Sequence, residues 1–66
     1  MNNDKVKLPV ARKMANLTQV ELANKIGVSE STIINWEKFR SYPTIDQAKA
    51  VGDACGMHYD KIDFLP

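Results

Sequence analysis

An all-α fold of five short helices is what this sequence predicts, and three observations carry that reading. Apolar residues recur at three- and four-residue spacing along most of the chain. The segments so marked open on Thr or Ser and close on Asn or Gly, the residues that start and stop helices. No stretch carries a strand signal, and the connections are two to six residues long. At 66 residues the chain reads as a single domain, 1–66, with residues 1–6 as a flexible polar arm. A domain of this size buries only about 60% of the surface its unfolded chain exposes, so a dimer interface would help it.

The first helix is expected from about Leu8 to Ala15. Pro9 suits a first turn, where its missing N–H is not needed. Leu8, Ala11 and Ala15 make an apolar stripe, and Asn16 tolerates the left-handed conformation that ends helices. The second helix opens on Thr18-Gln19-Val20-Glu21, a capping box in which Thr18 and Glu21 satisfy each other's backbone N–H groups. Val20, Leu22, Ala23 and Ile26 are expected on its buried side, and Gly27 stops it.

Ser29 caps the third helix, which should run to about Phe39. Ile33, Trp36 and Phe39 are placed on its inner face, and Glu30, Ser31, Ile34, Asn35 and Lys38 on its outer face. After a loop to Pro43, Thr44-Ile45-Asp46-Gln47 is a second capping box. It opens a fourth helix with Ile45, Ala48, Val51 and Cys55 inside and Gly56 at its end. A fifth helix is expected from about His58 to Asp63, bringing in Tyr59 and Ile62, with Phe64 and Leu65 following.

Composition limits the function classes. One Cys and one His make neither an internal disulfide nor a structural zinc site, so no metal or cofactor is expected. The lack of disulfides fits a reducing cytoplasm. The polar start, Met1-Asn2-Asn3-Asp4-Lys5, is not a signal peptide, and no apolar run approaches the roughly 18 residues of a membrane span. No phosphate loop, carboxylate pair or nucleophile–base arrangement is present, so no enzyme is expected. The net charge is only +1, but it is unevenly spread. Residues 1–43 set seven cations against four carboxylates, a balance of +3, and residues 44–66 set two against four, a balance of −2. The first part suits phosphates, and the second suits solvent or a partner subunit.

Residues 18–37 carry the function. Two helices joined by a tight glycine turn make a corner, which needs a small residue where the helices cross. Ala23 is small, Gly27 turns the chain, and Ile33 and Trp36 pack behind. In this helix-turn-helix arrangement the second helix stands out far enough to enter a DNA major groove.

The string Leu17-Thr18-Gln19-Val20-Glu21-Leu22-Ala23-Asn24-Lys25-Ile26-Gly27-Val28-Ser29 continues as Ser31-Thr32-Ile33, Trp36-Glu37, Pro43 and Ala54-Cys55-Gly56-Met57. It resembles the phage repressor and Cro-type helix-turn-helix family, also called the xenobiotic-response-element family, over roughly residues 8–62. The resemblance implies a lambda-repressor-like DNA-binding domain. It places Gln19 where the family binds a phosphate and braces the recognition helix. Ser29, Glu30, Ser31, Thr32 and Asn35 fall where the family reaches base edges or adjacent phosphates, and Lys38 and Arg40 where it contacts the backbone. Arg12 and Glu37 match a pair that forms a structural salt bridge between the first and third helices. Two positions depart from the pattern: Phe39 stands where a glycine often ends the recognition helix, and Asn16 replaces a common glycine.

The recognition face has no Arg and no Gln, so the commonest guanine contact is missing. Asn35 suits adenine and Ile34 a thymine methyl, which predicts an A·T-leaning half-site. Several residues keep a second reading. Ile34 also suits a buried contact with the second or fourth helix, Glu30 also suits the helix dipole, and Ser29 also suits a cap alone. Trp36 and Cys55 read as core, and His58 as a cap or surface residue.

The expected function is sequence-specific binding of double-stranded DNA by a transcriptional regulator, a Cro-like repressor. It would act as a homodimer on a pseudo-palindromic operator, with Tyr59, Ile62, Phe64 and Leu65 as the dimer surface. The alternative is a protein-interaction module of antitoxin or anti-repressor type on the same fold, which Glu30 and the low net charge favour.

Overall fold

The computed structural model describes residues 5–66. Its elements run β1 (Val6–Lys7), α1 (Leu8–Met14), α2 (Gln19–Ile26), α3 (Glu30–Glu37), α4 (Ile45–Cys55), a single 3-10 turn (Tyr59–Lys61) and β2 (Ile62–Asp63). The fold is in essence all-α, as the sequence predicts, with four α-helices rather than five among the described residues.

The caps form where the sequence puts them. Thr18 Oγ1 accepts from the Glu21 N–H at 3.0 Å, and the Thr18 N–H donates to Glu21 Oε1 at 2.8 Å. Thr44 and Gln47 repeat that reciprocal arrangement at the start of α4. Ser29 accepts from the Thr32 N–H at 3.2 Å and opens α3. Each cap satisfies N–H groups that a first turn leaves without an intrahelical partner.

The four helices also end alike. The N–H of Leu17 donates to the Arg12 carbonyl (3.1 Å), Val28 to Ala23 (3.0 Å), Arg40 to Asn35 (2.8 Å) and Met57 to Gly52 (3.0 Å). The residue before each donor is left-handed: Asn16 at φ 60°, Gly27 at 79°, Phe39 at 61° and Gly56 at 73°. This is the closure in which a left-handed residue turns the chain back onto the last carbonyls. Glycine adopts it freely, and Phe39 is the outlier, since a bulky residue seldom takes positive φ. Phe39 therefore does not extend the inner face of α3. The helix stops at Glu37, and Phe39 makes the turn that a glycine would make.

One apolar core joins all the helices. Leu8 and Ala11 of α1, Leu22 and Ala23 of α2, Ile33 and Trp36 of α3, Val51 and Cys55 of α4, and Ile62 are buried together. α2 packs against both α3 and α4. Two residues expected inside are exposed instead: Val20 at 46% and Ile45 at 62%. Val20 lies two positions before Leu22, about 200° around the helix, so it faces away from the core. Ile45 opens α4 at the edge of the buried stripe and borders a groove instead.

The expected fifth helix is a three-residue 3-10 turn, after which the chain extends as β2. Pairing takes over because β1 lies alongside in parallel, with Val6 opposite Ile62 and Lys7 opposite Asp63. Ile62 is only 3% exposed, so extending the chain here buries it under that short ladder. The chain can double back over α4 because Gly52 has no Cβ. A Cβ there would stand 2.8 Å from the Met57 carbonyl oxygen and 2.9 Å from the Tyr59 nitrogen. The expected polar arm needs a matching correction: Val6 is half-buried, packs on the core and belongs to β1. Residues 1–4 of that arm lie outside the described residues.

Candidate nucleic-acid interface

The corner between α2 and α3 is held from below by one carboxylate. Glu37 Oε2 accepts from Arg12 Nε at 2.7 Å, and Glu37 Oε1 accepts from Arg12 Nη2 at 3.3 Å and from Gln19 Nε2 at 3.0 Å. Arg12 also donates to the Leu17 carbonyl at 2.9 Å. The two charged side chains are only 10% and 8% exposed. Every donor on this carboxylate comes from α1 or α2, so the last residue of α3 is tied to both preceding helices. Gln19 thus braces α3 through its amide N–H, and its amide carbonyl is not used by this bond. Ionic pairs this well buried are tolerable only when their remaining polar atoms are also satisfied. No buried side-chain N or O among the described residues lacks a partner.

The opposite end of α3 presents hydroxyls. Ser29 Oγ lies 3.0 Å from Ser31 Oγ and 2.9 Å from Thr32 Oγ1 while also capping the Thr32 N–H. Ser29, Glu30 and Ser31 are exposed, and Thr32, Ile34 and Asn35 are half-buried. A hydroxyl donates or accepts as its partner requires, so this cluster can re-pair with a ligand without leaving a buried group stranded. Past the helix, Lys38 and Arg40 are exposed on either side of Phe39. The positions singled out from sequence therefore form two sets. Ser29, Glu30, Ser31 and Thr32 gather at the start of α3, while Lys38 and Arg40 lie at its end. Gln19 and Asn35 sit between exposure and burial.

Known proteins show which family the chain resembles. The sequence model of the helix-turn-helix family matches residues 11–62, from within α1 through the first residue of β2. The chain belongs to the phage repressor and Cro-type helix-turn-helix family. An uncharacterized HTH-type transcriptional regulator of Methanocaldococcus jannaschii is 40% identical over 58 residues, covering 88% of each chain. A second uncharacterized HTH-type transcriptional regulator, from Methanothermobacter thermautotrophicus, is 39% identical over 54 residues, covering 82% of this chain and 78% of its own. No solved structure matches significantly.

Within the matched span, α2 and α3 are the two helices joined by the Gly27 turn. Burial pushes the Cys55 thiol upward, an effect that the charge of Arg12 partly offsets, so the thiol stays protonated and serves as core. Among the described residues, no group of His, Cys, Asp and Glu is placed to hold a metal ion, and no helix is long and apolar enough to cross a membrane. His58 caps the 3-10 turn, its Nδ1 accepting from the Asp60 N–H at 3.3 Å.

Sequence reasoning passed over Lys7. Its ammonium donates to Asp63 Oδ2 at 2.8 Å and to the Leu65 carbonyl, and lies 5.7 Å from the centre of the Phe39 ring. Tyr42, whose hydroxyl donates to the Phe39 carbonyl at 3.3 Å, was also passed over. The one available signal was the non-glycine residue at position 39, which something has to hold in place.

Proposed function

We propose that this chain is a sequence-specific transcriptional regulator, a Cro-like repressor acting in the cytoplasm, that binds double-stranded DNA with α3 in the major groove. The observation that carries this is the asymmetry of α3. Its last residue, Glu37, is locked to α1 and α2, and its start carries a cluster of hydroxyls bonded only to one another and to the cap N–H. A helix held rigidly from behind with an adaptable polar front is what base-edge reading needs. Ser29, Glu30, Ser31, Thr32, Ile34 and Asn35 read or border the bases. Gln19, Lys38 and Arg40 contact phosphates. With Asn35 suited to adenine, Ile34 to a thymine methyl and no Arg on the reading face, the half-site leans to A·T.

The operator is pseudo-palindromic and the bound form a homodimer, with half-sites about 34–36 Å apart or a multiple of that. The dimer surface needs revision from the expected set. Ile62 is buried and unavailable, whereas Tyr42, Ile45 and Leu65 are exposed and join Tyr59 and Phe64 around one apolar groove.

Selection of bound duplex from a random pool tests reading, symmetry and spacing together. The expected product is an A·T-rich inverted repeat. Enrichment of G-rich half-sites sinks the specificity proposal, and a monomer on an asymmetric site sinks the dimer. Affinity should fall steeply with salt, and Arg40→Gln should reduce the slope of log K against log salt by about one. Absence of duplex binding even at low salt would instead favour the protein-interaction reading, in which Glu30 meets a protein partner.

A further inference from the structure

Phe39 is where the molecule departs from what its backbone prefers. It takes φ 61° at the end of α3, and the residues flanking it are Lys38 and Arg40. Two bonds close the turn: the Phe39 N–H donates to the Trp36 carbonyl at 3.2 Å and the Arg40 N–H to the Asn35 carbonyl at 2.8 Å. At Gly27, the same closure sits in a conformation that glycine takes without a steric penalty. At Phe39, contacts elsewhere must hold it. The ring is half-buried, and the Lys7 ammonium lies 5.7 Å from its centre, within the range of cation–π attraction. That ammonium is itself fixed by Asp63 Oδ2 at 2.8 Å and by the Leu65 carbonyl. Its backbone is fixed too, since Lys7 pairs with Asp63 in the parallel ladder.

We propose that Lys7 is a positioning residue for DNA binding: anchored by Asp63, it holds the Phe39 ring and so sets the direction in which Arg40 leaves the recognition helix. This rests on the DNA-binding reading above. Through it the strand pair β1–β2, remote in sequence from the reading face, is part of the interface. The C-terminal segment, which lines the candidate dimer groove through Phe64 and Leu65, reaches the end of α3 by the same side chain.

The rival explanation is that Lys7 is one more cation near phosphate, and the variant Asp63→Asn separates the two. It leaves the Lys7 charge intact, removes a nearby negative charge and weakens the anchor, replacing an ionic acceptor by a neutral amide oxygen beside the Leu65 carbonyl. The experiment compares wild type, Lys7→Gln, Lys7→Arg and Asp63→Asn by fluorescence anisotropy on the selected duplex at several salt concentrations. Amide exchange of Arg40 and Val28 is followed in the free proteins. Val28 is the internal standard, because its N–H closes the glycine-ended turn. Positioning predicts that Lys7→Gln weakens binding about two- to fivefold, that Asp63→Asn weakens it too, and that Lys7→Arg restores it. It also predicts that Arg40 exchange rises relative to Val28 in the two weakened variants alone. The proposal is overturned if Asp63→Asn binds as well as or better than wild type, or if the Arg40-to-Val28 exchange ratio stays constant across the set. If wild type binds no duplex, the DNA-binding reading fails, and the exchange ratio still decides whether Lys7 holds the Phe39 turn.

Discussion

Arg12 and Glu37 meet at 2.7 Å and Lys7 and Asp63 at 2.8 Å, yet the first pair is 10% and 8% exposed and the second 43% and 29%. Both link distant parts of the chain; one meets α3 at its last residue, Glu37, and the other lies over the ring of Phe39 in the turn that follows. Their surroundings make them different devices. The buried pair has given up hydration on both sides, so it holds only while complete, and loss of one partner leaves a charge with no substitute solvent. The exposed pair keeps water as an alternative and contributes modestly to stability. Buried, the ionic link fixes the fold of the corner. Exposed, it orients a segment that the core already holds through Ile62.

The strongest way to break that contrast is at the shared carboxylate. Glu37→Ala leaves the Arg12 guanidinium buried without its anion and should destabilise by about 3–5 kcal/mol. A single core below about 70 residues seldom supplies more than that, so the variant should be largely unfolded at 25 °C by circular dichroism. A cooperative melt near that of wild type would show that Arg12 finds water or another acceptor, and the contrast would collapse. Gln19→Ala probes the same node more gently. It removes the 3.0 Å bond to Glu37 Oε1 but leaves both charges paired. A loss of about 1–2 kcal/mol in urea titration is expected, with helix content retained.

These two regions also differ in how far the sequence disclosed them. The helix-turn-helix was legible because its signals are local. Thr18 and Glu21 are three residues apart, Gly27 and Ser29 bracket the turn, and Leu22, Ile33 and Trp36 follow helical spacing. The Arg12–Glu37 pair, 25 residues apart, came only from resemblance to a family. The terminal closure had no local signal at all. Two-residue strands are too short to show alternation, and their register joins positions 56 residues apart. Tyr59 and Ile62, three apart, imitated a helix. Asn16 marks a helix end by its own tolerance of positive φ, whereas Phe39 is a bulky residue with no such tolerance, and the Lys7 ammonium that lies over its ring comes from a distant part of the chain.

The smallest expected effect sharpens the comparison from the exposed side. The Lys7 hydrogen bond, then the Leu65 N–H, hold the Asp63 carboxyl below its ordinary value of 3.8. A carboxyl whose folded value lies below its unfolded one adds stability that is fully present above the unfolded value and disappears as pH falls through the folded one. Wild type should therefore exceed Asp63→Asn in stability by a constant amount from pH 7 to about pH 5. The two should converge as the pH falls below about 4, with all other carboxylates common to both proteins. Thermal melts of the pair across that range measure the difference directly. High salt should shrink the gap at neutral pH, because the pair is exposed and screened, while leaving the deficit of Gln19→Ala nearly unchanged. A gap that persists in high salt would mean that Lys7 and Asp63 are shielded from solvent as Arg12 and Glu37 are, and the two links would then differ in position rather than in kind.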